Sequence, residues 1–156
     1  MPKRALVFVV PVTVVLAVWT TGLLAGAAAG RPQSKIKHYP GSNPDLPFSA
    51  AVEVGDTLYL AGTLGLDPQT GRPPASAREE ARRVLDGIQD KLKAAGLTMD
   101  DLVSVQVFCA DVALYDDFNA VYRTYFKERF PARAFVGSGA LLRGARFEVQ
   151  GIAVRR

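Results

Sequence analysis

Few side chains in this sequence could do chemistry, and their types narrow what that chemistry could be. There is one cysteine, Cys109, and one histidine, His38. A lone cysteine closes no intrachain disulfide and builds no thiolate cluster. It reads as a small buried hydrophobe in a strand. His38 stands just before Pro40-Gly41 without an HxxH or HxE partner. A metal site needs more ligands than this, so none is expected. What remains is charge. Arg133 and Glu148 fall on the last two predicted strands, and from spacing alone they read as an ordinary ion pair, since such pairs are frequently structural.

Net charge points to no partner. The formal value is +4, but Lys3 and Arg4 precede the first apolar run, and without them it is +2. The other basic residues are interspersed with acids, as in Glu79-Glu80-Ala81-Arg82-Arg83. That reads as a solvated helix face and not as a stripe that tracks phosphates. No nucleic-acid partner is expected.

The elements that must position these residues can be read from periodicity. Residues 49–54 and 57–64 are short β-like runs joined by Gly55-Asp56, a two-residue hairpin signal. Asp67-Pro68-Gln69-Thr70-Gly71 closes that unit as a turn. Ser76-Ala77-Arg78-Glu79 is a capping box. After it Ala81, Val84, Leu85, Ile88, Leu92 and Ala95 form one helical apolar stripe that Gly96 ends. Residues 102–110 alternate, with Val103, Val105, Val107 and Cys109 predicted on the buried side. Leu114, Phe118, Val121, Tyr122, Tyr125 and Phe126 mark a second helix, ended before Pro131. Two strands, at about 133–139 and 145–154, close the chain. The predicted class is α+β: a two-layer sandwich in the order β-β-α-β-α-β-β, with a mixed sheet of five to six strands. Two helices cover only one face of such a sheet, so the other must be buried by something else, and another copy of the chain is the economical answer.

Ahead of this domain, expected over residues 47–156, residues 31–46 are rich in Pro, Gly and Ser and read as a tether. Residues 5–30 carry no charge and follow a short positive stretch. Two outcomes fit. Ala25-Gly26-Ala27 and Ala27-Ala28-Ala29 satisfy the small-residue pattern of a cleaved export signal spanning residues 1–30. The apolar run is also long enough for an uncleaved anchor, with membrane contact through residues 5–24. Either outcome places the domain outside the cytoplasm, periplasmic or secreted in the first case and membrane-anchored in the second.

Three stretches carry a resemblance. Pro47-Phe48-Ser49-Ala50-Ala51-Val52 through Ala61-Gly62-Thr63 to Asp67-Pro68-Gln69-Thr70-Gly71 is similar to the opening hairpin of the Rid family, usually PYSQAV, SGQ and DPKTG. Residues 117–126 resemble its second helix, including NxVYxxYF. Pro131-Ala132-Arg133 with Phe147-Glu148-Val149-Gln150-Gly151-Ile152-Ala153-Val154 resembles its PAR and EIEAIAV signatures. The family has also been called YjgF and, in older usage, endoribonuclease L-PSP, and its fold is chorismate-mutase-like. The resemblance implies a homotrimer with sites between subunits. It implies hydrolysis of reactive 2-enamine and 2-imino acids to 2-keto acids and ammonia, with no metal or organic cofactor. It implies that Arg133 clamps the carboxylate of a small substrate, through two parallel charge-assisted donors. Glu148 would then position or deprotonate water.

Around those two, the pocket expected from the resemblance contains Phe48, Ala61, Gly62 and Phe135. Phe48 stands where the family usually has Tyr, Ala61 where it has Ser, and Phe135 where it has a small Cys, Ser or Thr. Leu142 replaces an expected proline. Fewer hydrogen-bonding groups favour a larger, more apolar acid. They also leave open a second class of function, a trimeric binding protein in which Arg133 holds a small carboxylate without turnover. The endoribonuclease reading is disfavoured, because no aromatic and basic residues interleave into a nucleotide platform.

Overall fold

The computed structural model describes residues 35–41 and 43–156. The export or anchor segment expected over residues 1–30 lies outside them. Among the described residues no helix is long and apolar enough to cross a membrane.

Six strands form one sheet: β1 (Ile36–Tyr39), β2 (Ala51–Val54), β3 (Thr57–Leu64), β4 (Leu102–Cys109), β5 (Ala132–Gly137) and β6 (Phe147–Val154). Their spatial order is β1-β2-β3-β6-β4-β5, and only the β4–β5 pair is parallel. Two helices, α1 (Ala77–Ala94) and α2 (Tyr115–Tyr122), pack on each other and on this sheet. This is the two-layer α+β sandwich read from the sequence.

β1 lies in the stretch expected to be a tether. It pairs in register with β2, from Ile36 opposite Val54 to Tyr39 opposite Ala51. Periodicity hid it because an edge strand needs little apolar surface. Its hold is the ladder plus Tyr39, whose hydroxyl donates to Glu53 Oε2 at 2.6 Å. Lys37 and His38 leave the edge polar, which blunts pairing with other chains.

α1 begins at Ser76, whose hydroxyl accepts from the Glu79 N–H at 3.4 Å. Only half of the expected capping box forms. The Glu79 carboxylate accepts from Arg82 and Arg83 instead of reaching back. At the other end Gly96 adopts φ +72°, and the N–H groups of Gly96 and Leu97 return to the carbonyls of Lys93 and Leu92. That paired closure is the Schellman motif, and glycine supplies its left-handed residue without strain. Val84, Leu85, Ile88 and Leu92 are fully buried against Leu58, Val107, Phe147 and Val149.

Two side-chain readings, one on a strand and one on a helix, need correction. The register of β4 against β6 breaks between Leu102 and Ser104. That bulge turns Leu102 into the core and leaves Val103 outside at 44% exposure. Glu80 was expected on a solvated helix face, yet it is fully buried. Its Oε1 accepts from the N–H groups of Arg146 (2.6 Å) and Phe147 (3.1 Å), and its Oε2 accepts from Arg146 Nε at 2.6 Å. The ion pair and two backbone donors satisfy a carboxylate that burial would otherwise destabilise. Gly65 makes room for this approach, since a Cβ there would sit 2.8 Å from Glu80 Cγ.

Among the described residues nothing covers the sheet face away from the helices. Tyr59, Ser104, Gln106, Ala134, Gln150 and Ile152 line a shallow depression of about 520 Å3 there.

Candidate active site

Arg133 stands opposite Val105 in the parallel β4–β5 ladder. Val105 is buried beneath the helices, so Arg133 also points to the helix side, at the edge of the sheet. α2 meets it with Tyr115, Asn119 and Tyr122. These three sit at helical spacings of four and three, which puts them on one face. Asn119 Oδ1 accepts from Arg133 Nη2 at 2.7 Å. The guanidinium carbon lies 4.5 Å from the Tyr122 ring centre and 5.8 Å from that of Tyr115. The cation is thus pinned at one nitrogen and backed by aromatic faces, an arrangement that favours arginine over lysine.

Two polar side-chain atoms among the described residues are buried without a partner, Arg133 Nη1 and Tyr122 Oη. Arg133 and Tyr122 line the same pocket of about 240 Å3, together with Tyr115, Asn119, Arg123, Phe130 and Pro131. Burial pushes the Tyr122 hydroxyl up to about 12, against a smaller opposing pull from Arg133. At neutral pH it is therefore a protonated donor. One guanidinium nitrogen and one phenol, both without acceptors, leave this pocket suited to an anionic oxygen.

Phe135 follows two residues later on the same strand face. Its ring stands edge-on to Tyr115 and Phe118, with centres at 5.0 and 5.6 Å. It packs against the core beside Arg133 and does not line the pocket.

Glu148 lies elsewhere. It pairs with Phe108 on β4 and Leu64 on β3. Its neighbours Phe147 and Val149 are buried beneath the helices, so Glu148 points to the open face. Gly62 packs against it. A Cβ at Gly62 would overlap Glu148 Oε1 and lie 3.1 Å from its carboxyl carbon, so a larger residue there would push the carboxylate aside. Ala61 donates its N–H to the Ala50 carbonyl at 3.0 Å. Phe48 is 54% exposed in the turn before β2. Glu148, Gly62 and Ala61 therefore gather near one end of β3, and Arg133 with Phe135 sits on β5 across the sheet. Within one chain Arg133 and Glu148 project from opposite faces, which rules out the ordinary ion pair that their spacing suggested.

Lys91 was not anticipated. It reaches from α1 to the same stretch of β3 and donates to Ala61 O (2.9 Å), Gly62 O (3.4 Å) and Thr63 Oγ1 (2.7 Å). Among the described residues no group of three His, Cys, Asp or Glu could hold a metal ion.

Most of the chain is similar to proteins of one known family. The family model described as Endoribonuclease L-PSP matches residues 41–155. The chain belongs to the Rid family. The mouse protein named 2-iminobutanoate/2-iminopropanoate deaminase is 41% identical over 110 residues, 70% of this chain and 82% of its own length. A protein of that name from Escherichia coli K12 is 34% identical over 113 residues, 70% of this chain and 88% of its own length. Among solved structures, the E. coli YjgF gene product superposes with a TM-score of 0.68 at 32% identity, covering 76% of this chain and 94% of its own. E. coli TdcF with bound serine gives 0.68 at 29% identity, covering 81% of this chain and all of that one.

In this Rid chain the family stretches account for both poles of the site. The NxVY pattern supplies Asn119 and Tyr122, which hold the arginine of the PAR stretch. Lys91 falls in none of those stretches, and the sequence offered no sign of it beyond a lysine one position before the apolar stripe residue Leu92.

Proposed function

We propose that this protein hydrolyses 2-imino acids and their enamine tautomers to 2-keto acids and ammonia, and that it does so outside the cytoplasm. The observation that carries the reading is the buried, unpartnered Nη1 of an Arg133 already fixed by Asn119. A substrate carboxylate would accept from Nη1, with the Tyr122 hydroxyl as a second donor. Water then adds to the C=N carbon, and the C–N bond of the resulting amino alcohol breaks. Nitrogen leaves as ammonia and the carbinol oxygen becomes the keto oxygen, with no net oxidation. Glu148 takes the proton from the attacking water and returns one to the departing nitrogen.

Because Arg133 and Glu148 face opposite ways within a chain, the reading requires Glu148 from an adjacent copy. A homotrimer closed through the open sheet faces supplies it. The names carried by the mammalian and bacterial relatives support the chemistry. Phe48 and Ala61, which stand where the family usually has Tyr and Ser, favour substrates larger and more apolar than iminopropanoate.

The test couples an amino-acid oxidase, which generates imines in place, to measurement of keto-acid release across several side chains. Release should accelerate with the protein and fall in Glu148→Gln, while binding of a carboxylate ligand survives. A second reading, a binder without turnover, is favoured by those same apolar positions. It predicts no acceleration by the wild type and no effect of Glu148→Gln.

A further inference from the structure

We propose that Lys91 is a positioning residue for Glu148, acting through the bulge in β3. Between Leu60 and Thr63, β3 advances three residues while β6 advances two, from Gly151 to Val149. The extra residue takes Ala61 and Gly62 off the regular ladder, as β-bulges do. Such a kink holds its shape only if its backbone groups find other partners. Lys91 supplies them: one half-buried ammonium spans the carbonyls of Ala61 and Gly62 and the Thr63 hydroxyl at 2.9, 3.4 and 2.7 Å. All three of its N–H bonds thereby have acceptors, and α1 is tied to the irregular part of β3.

That irregular part is the wall on which Glu148 rests. Gly62 packs so closely on the carboxylate that an added Cβ would overlap Oε1 and displace it. A shift of the bulge by a few tenths of an ångström therefore moves Glu148 or opens a gap beside it. The ammonium also acts through charge. Burial pulls the Lys91 amine down to about 8, and the Glu148 carboxylate opposes that fall. The other titratable groups around the Lys91 stem are Asp90, its neighbour on α1, and Tyr39 of β1. Tyr39 gives its hydroxyl to Glu53 of β2. Lys91 is thus the cation placed behind the carboxylate that handles water.

This inference rests on the reading of Glu148 as that group. Lys91→Met keeps the packing of the stem and removes the ammonium. In the coupled imine assay its kcat should fall by about tenfold or more, with KM within about twofold, because Arg133 still holds the carboxylate. Wild-type kcat should decline above about pH 8 as the amine loses its proton, and Lys91→Met should be flat through that range. Thr63→Val removes one acceptor and leaves the cation. It should lose less activity than Lys91→Met and keep the alkaline decline, and it decides the matter if Lys91→Met does not fold. Unchanged kcat in Lys91→Met, or an alkaline decline that persists in it, would overturn the proposal. A wild type that releases no keto acid counts against the Glu148 reading instead. In that case the carbon resonance of the Glu148 carboxyl and the exchange rate of the Gly62 amide decide. Both should change in Lys91→Met, and two unchanged signals would overturn the positioning role.

Discussion

Replacing Glu80 with Ala should be the most destabilising single change among the polar residues of the core. Its carboxylate is fully buried and takes three hydrogen bonds, two from backbone N–H groups at the start of β6 and one from Arg146 Nε. Removing one side of a buried pair typically costs about 3–5 kcal/mol, because the other charge is left uncompensated. Arg146 offers partial relief. Its side chain is 28% exposed and also donates to the carbonyls of Pro74 and Ala75, so water and backbone recover part of the loss. The Phe147 N–H has no such outlet. The net loss should fall at the lower end, about 3 kcal/mol. For a domain of this size that lowers Tm by about 9–15 °C. Glu80→Gln keeps a carbonyl oxygen for the backbone donors and should lose about half as much. Thermal and urea unfolding at one fixed protein concentration measure both, since assembly would make Tm concentration-dependent. Glu80→Ala within about 1 kcal/mol of wild type would refute the reasoning, and the three bonds would then not anchor α1 to β6.

Other expectations follow from the site and the core. Arg133→Ala should weaken binding of a small carboxylate by about ten- to a hundredfold, from the loss of about 1.5–3 kcal/mol of charge-assisted bonding, and Arg133→Lys should recover only part of it; undiminished affinity by calorimetry would sink both the deaminase and the binder readings. Cys109 is fully buried and gives its thiol to the Asp111 carbonyl at 3.0 Å, and burial pushes its pKa up, so a thiol reagent at pH 8 should modify it only after unfolding. The domain from residue 31 onward should scatter light as a trimer at micromolar concentration; a stable monomer would remove the shared-site proposal. Intact mass of protein from the producing cell should begin near Ala28 or Gly30, whereas full-length protein confined to membranes would establish an anchor.

The elements that the sequence made legible were those whose side chains alone declare them. The α1 stripe, its Ser76 start and its Gly96 stop are local signals: the stripe is buried, and each end closes with a hydrogen bond. β1 was missed because edge pairing is a backbone matter and leaves little trace in Ile36-Lys37-His38-Tyr39. Val103 was misplaced because alternation assumes an unbroken register, and a bulge that serves the β4–β6 ladder has no signature in composition. Glu80 was misplaced for a related reason. A carboxylate among charged neighbours on a helix looks solvated until Arg146, 66 residues away, is brought to it.

The same distinction separates the two poles of the site. Arg133 is legible as the arginine of a short motif, although its contacts with Asn119, Tyr122 and Tyr115 are set by how α2 packs beside β5. The geometry that matters at Glu148 is not legible, because it depends on a kink in β3, on the missing Cβ of Gly62 and on an ammonium that arrives from α1. Face parity sharpens the point. Residues of paired strands alternate between faces with a period of two, so the registers Arg133–Val105 and Phe108–Glu148 force opposite directions once β4 is laid between β5 and β6. No rotamer change brings the two groups together within one chain. Chemistry that uses both therefore needs a second copy, and the open, half-apolar sheet face beside Glu148 is the surface through which that copy would have to approach.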